Sequence, residues 1–69
     1  MKYLIIIEPT ETGFSAYSPD LPGCVSTGKT KNECEANMRE SIEFHLEGLR
    51  SDNEEIPAAV SVPAFVDVG

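Results

Sequence analysis

The sequence predicts an α+β fold of order β-β-β-α-β, and three observations carry that prediction. Short segments with strand chemistry, separated by turn residues, fill the chain up to Thr27. A capping signal at Thr30 then opens a single run of apolar residues at helical spacing. A last segment rich in valine follows Pro63. If the first three strands form an antiparallel meander and the helix is a right-handed crossover, the sheet order is 3-2-1-4. The one helix then covers one face of the sheet and leaves the other open. At 69 residues the chain is read as one domain, 1–69.

Tyr3 to Glu8 reads as the first strand, and as a central one, because Leu4-Ile5-Ile6-Ile7 is apolar on both faces. Pro9 to Gly13 is turn chemistry, and Phe14 to Ser18 alternates large and small groups as a second strand. Pro19-Asp20-Leu21-Pro22-Gly23 contains two residues without an N–H donor and so interrupts regular structure before a third strand at Cys24–Thr27. Thr30 followed by Glu33 is a capping box. Cys34, Met38, Ile42, Leu46 and Leu49 recur on one helical stripe, while Glu33, Glu35, Glu40, Glu43 and Glu47 hold much of the remaining surface. Ser51 to Glu55 ends the helix, Ile56-Pro57 begins an extended connection, and Ala64–Val68 reads as the fourth strand.

Five basic residues against twelve acidic ones give a net charge of −7. A nucleic-acid binder draws most of its affinity from Lys and Arg on phosphates, so direct contact with DNA or RNA is not expected. An acidic surface favours capture of a basic protein. A domain this small buries little core, and Cys24 and Cys34 supply neither a disulfide framework nor a zinc motif, so association into a homo-oligomer is expected. No run is long and apolar enough for a membrane span, and the unpaired thiols suit the cytoplasm.

Gly23 to Thr30 matches the phosphate-loop pattern GxxxxGK[ST] letter for letter. A phosphate loop needs a buried strand ahead of its first glycine and a loop between its glycines. Here prolines precede Gly23, and Cys24–Thr27 has strand chemistry, so the match is read as a turn and an N-cap. The one histidine, His45, has no orienting partner at a recognisable spacing and is assigned to the helix surface or an interface. Cys34 is read as a small core residue. Glu8, Glu43 and Asp67 could converge across a 1-4 strand pair and the helix for metal-dependent nuclease chemistry, but a solvated face explains them better. No catalytic residue, metal or cofactor is expected.

The stretches Met1–Glu8 and Gly13–Cys24, then Thr27-Gly28-Lys29-Thr30, Glu40-Ser41-Ile42-Glu43 and His45–Leu49, resemble the HicB family of antitoxins over nearly the whole chain. Tyr17 to Cys24 is the most specific part. The resemblance implies a partial RNase H-like fold, a dimer or tetramer, and a partner of the HicA type, a small basic toxin that cleaves mRNA. Many HicB proteins also carry a C-terminal DNA-binding domain, which has no counterpart in these residues. The first strand lacks the mid-strand carboxylate that RNase H chemistry needs. The expected function is therefore inhibition of a HicA-type toxin, with partner contacts at Asp20, Leu21, Pro22, Gly23 and Cys24 and at Glu40, Glu43 and Glu47. The Asp20–Cys24 loop reads equally as a rigid turn that sets strand register. Two alternatives are kept: an orphan oligomeric domain without a toxin, and a nuclease using Glu8, Glu43 and Asp67.

Overall fold

The segments of alternating and β-branched residues form an antiparallel sheet in the computed structural model, which describes all 69 residues. Its strands are β1 (Ile6–Pro9), β2 (Phe14–Tyr17) and β3 (Val25–Gly28), in the order β1-β2-β3. The register places Ile7, Ala16 and Ser26 in one cross-strand row and Ile6, Tyr17 and Val25 in the next. Successive side chains point to opposite faces, so the two rows face opposite ways. The Ile7–Ala16 row, with Ile5 and Phe14, packs against the helix. The Ile6-Tyr17-Val25 row lies on the other face, which no helix of this chain covers.

The helix α1 (Lys31–Ser51) is closed at both ends by its own sequence. The Thr30 hydroxyl accepts from the Glu33 N–H at 3.0 Å, and the Glu33 carboxylate accepts from the Lys29 N–H at 3.1 Å. The return bond thus reaches one residue further back than in the usual capping box. At the other end Asn53 takes φ 55°, Asn53 N–H donates to the Arg50 carbonyl and Glu54 N–H to the Leu49 carbonyl. Those two bonds are the Schellman pattern, with asparagine in the left-handed position that glycine more often fills. Cys34, Met38 and Leu46 are buried and Ile42 and Leu49 partly so, as the stripe predicts. Gly28 lets the first turn of α1 lie directly on β3, since a Cβ there would meet the backbone of Cys34 at 2.7 Å from its Cα.

The phosphate-loop lookalike dissolves into other roles: Val25–Gly28 is strand, and Thr30 is the N-cap. β1 starts at Ile6, later than expected, because the Leu4 carbonyl is taken by the Ser18 hydroxyl at 2.8 Å and leaves the ladder.

The fourth strand needs correcting. Ala64–Val68 forms no strand within the chain, so the sheet ends as 3-2-1 and the expected order 3-2-1-4 is not reached. The physical reason lies in how the connection is tied down. The Tyr3 hydroxyl donates to the Pro57 carbonyl at 2.6 Å. The Asp20 carboxylate then accepts from the N–H groups of Val60 and Ser61 at 3.2 and 3.0 Å, and from the Ser61 hydroxyl at 2.8 Å. Tyr3 precedes β1 and Asp20 follows β2, so residues 57–61 cross the end of the sheet instead of running along β1.

Candidate partner-binding surface

The Ser18–Cys24 segment is two turns sharing one residue. Leu21 N–H donates to the Ser18 carbonyl at 3.2 Å, and Cys24 N–H to the Leu21 carbonyl at 3.1 Å. Each turn has proline in its second position, where a fixed φ suits it, and the second has Gly23 third at φ 83°, as a type II turn requires. Between them Leu21 is driven fully into the core, with no exposed surface. Cys24 is buried too, and burial pushes its thiol pKa up, so it stays a protonated, unreactive core group.

Of the five loop residues nominated as partner contacts, Leu21 and Cys24 therefore hold the loop's shape from inside. Pro22 and Gly23 are exposed. Asp20 is half-buried and turned toward the tail as the acceptor of the three bonds described above. Those bonds, led by the Ser61 N–H, hold its carboxyl below the ordinary value of 3.8. A carboxylate whose folded pKa is lowered contributes fully above its unfolded value and loses that contribution as pH falls through the lowered one. The tail is expected to stay clamped above the ordinary aspartate pKa and to release below it. Amide exchange at Ser61, followed from neutral to acid pH after correction for intrinsic rates, checks this, and protection that persists unchanged through the acid range would refute it.

Glu40, Glu43 and Glu47 are all exposed. At about 3.6 residues per turn they share one stripe, opposite Cys34, Met38 and Leu46, and face solvent. Sequence reasoning missed what lies beside them. Phe44, 78% exposed, borders an open groove of about 360 Å³ between the C-terminal half of α1 and the start of β3. Gly23 and Val25 line one wall, Ser41, His45 and Gly48 the other, and Asp52 and Glu54 contribute acidic groups. The loop end at Gly23 thus meets the helix at this groove, whereas Asp20 points elsewhere.

The carboxylates of the nuclease alternative are not brought together. Glu8 alternates with the core-facing Ile7 and so lies on the open face of the sheet, while Glu43 lies on the outer face of the helix. Asp67 is in the exposed tail. No group of three or more His, Cys, Asp or Glu residues is placed to hold a metal ion. No helix is long and apolar enough to cross a membrane.

A family model described as the HicB_like antitoxin of bacterial toxin-antitoxin systems matches residues 3–68. The chain belongs to the HicB-like antitoxin family. UPF0150 protein Ta0767 of Thermoplasma acidophilum is 45% identical over 58 residues, covering 83% of this chain and 84% of that protein. Antitoxin HicB 2 of Photorhabdus laumondii is 30% identical over 69 residues, 99% of this chain. A 14.9 kDa protein of Haemophilus phage HP1 is 39% identical over 67 residues, 97% of this chain. The chain spans 50% of the length of each of the last two. Among solved structures, a chain of the HicA3 and HicB3 toxin-antitoxin complex superposes with a TM-score of 0.77 at 33% identity, over 88% of this chain and 71% of that one. Three antiparallel strands and a helix are thus a HicB arrangement, and the HicB-like antitoxins are this chain's relatives.

Proposed function

We propose that this protein is an antitoxin that binds a HicA-type toxin and blocks its cleavage of mRNA by occlusion, without catalysis of its own. The observation that carries the reading is the match, at 33% identity, to a chain from a toxin–antitoxin complex. The chemistry of the surface supports it. A basic RNA-cleaving partner must present a positive face to RNA, and a chain of net charge −7 with Glu40, Glu43 and Glu47 on one solvent-facing stripe complements such a face. Charge alone steers and selects; affinity needs a desolvated anchor. The groove between Phe44 and Val25 provides a seat of mixed character next to that stripe, apolar at those two side chains and acidic at Asp52 and Glu54, with the Pro22–Gly23 turn at its rim. The reading places the protein in the cytoplasm, as a homo-oligomer on a reduced RNase H-like scaffold, with RNA reached only through the toxin.

Co-expression with a small basic HicA-type toxin tests this. The expected result is a complex that survives purification at low salt, weakens as salt rises, and suppresses RNA cleavage by the purified toxin. A toxin that cleaves RNA equally well with and without a molar excess of this chain would overturn it.

A further inference from the structure

The chain carries a strand that it does not use and a strand edge that it does not fill. From Val60 onward the tail alternates, with Phe65 as the exception: Val60, Val62, Ala64, Val66 and Val68 fall on one side, and Ser61, Pro63, Phe65 and Asp67 on the other. Such period-two alternation is the pattern of a strand with one buried face. Yet Val62, Phe65, Val66 and Val68 are 79%, 97%, 84% and 83% exposed. The molecule measures 47 × 28 × 16 Å. Its radius of gyration is 13.5 Å, against about 11 Å for a compact chain of this length.

The unfilled edge is β1. It pairs with β2 alone, although Leu4-Ile5-Ile6-Ile7 is apolar on both faces, as suits a strand with neighbours on both sides. The opposite edge, β3, is polar at Ser26 and Thr27, and the Asn37 amide of α1 occupies its Thr27 carbonyl at 2.8 Å. The tail does not reach β1 of its own chain, because Tyr3 and Asp20 carry it across the end of the sheet.

We infer that residues Val62–Val68 pair as a strand along the free edge of β1 in a second copy of this chain, each copy giving its tail and receiving the other's. Three points commit the site to a second copy. Every chain has one such tail and one such edge, so reciprocal exchange about a two-fold axis leaves neither unmatched, whereas a different protein on β1 would leave the tail uncovered. Asp67 is the only charge between Ile56 and Gly69, and Glu8 the only one from Tyr3 to Pro9, so two strongly acidic chains can meet on these surfaces with little repulsion. The clamp at Asp20 roots the tail and leaves about 23 Å of extended chain over Val62–Val68, enough to span β1 from end to end. The exchange completes the sheet and concerns the chain alone, whether or not a toxin is present.

The test uses the full chain without a partner. Sedimentation equilibrium should give the mass of two chains. A mixture of ¹³C-labelled and unlabelled chains should show intermolecular contacts between the tail valine methyls and the side chains of Leu4–Ile7. The double variant V62D/V66D, whose sites are exposed within the chain and not needed for its core, should keep the wild-type circular dichroism and fall to the mass of one chain. A wild-type monomer at several hundred micromolar, a dimer that survives V62D/V66D, or tail contacts with β1 found only within one chain would each overturn the inference.

Discussion

Leu21→Ala is expected to leave a large share of the chain unfolded at 37 °C. Leu21 has no exposed surface, and it sits where two turns meet, so neither turn can relax inward to fill the space it vacates. Removing a buried leucine to alanine costs about 2–5 kcal/mol, with the upper end reached where the surroundings cannot collapse. Only seven of the 69 residues are buried. A single core in a domain of this size supplies roughly 3–5 kcal/mol in all, so one substitution consumes most of it. Urea titration followed by far-UV circular dichroism measures the effect. Leu21→Met keeps the volume and should cost less than about 1.5 kcal/mol, which separates packing from damage to the turns. An unchanged urea midpoint for Leu21→Ala would show that the loop is not the plug described here.

The same loop shows which features the sequence exposes and which it hides. Two prolines and a glycine announce turns by their fixed and permissive φ angles, so the break after Tyr17 is legible. That the leucine between them is the deepest core residue is not legible, because no periodicity runs through a turn. The helix is the opposite case. Thr30, Glu33 and the stripe from Cys34 to Leu49 are local signals, and local geometry satisfies them. The tail lies between the two. Alternation states that Ala64–Val68 has a strand's faces, but it says nothing of which edge receives it, and hydrogen bonds from residues 60–61 to a distant aspartate decide that. Phe44 left a signal that could have been used: a large aromatic off the apolar stripe, with Ser41 three residues before and Gly48 four after, marks a hollow on the helix surface.

Reversing the acidic stripe should have the largest effect on partner binding with the least on folding. Glu40, Glu43 and Glu47 are exposed and opposite the core. Exposed charge pairs contribute little to stability, so E40K/E43K/E47K should change the urea midpoint only slightly. Each reversal shifts the charge by two, taking the net charge from −7 to −1 and placing three lysines where a basic toxin is to dock. Like charges brought together across an interface cost several kcal/mol, so affinity for the toxin should fall by roughly 100-fold or more. Most of the loss should lie in the association rate at low salt, and the remaining affinity should lose its salt dependence. Phe44→Ala provides the contrast. An apolar wall of the docking groove acts after encounter, so its removal should raise the dissociation rate and leave the salt dependence as it was. Binding kinetics at two ionic strengths distinguish the two contributions. If the triple variant binds as tightly as the wild type, the acidic stripe serves solubility alone, and the groove or the open sheet face must carry the contact.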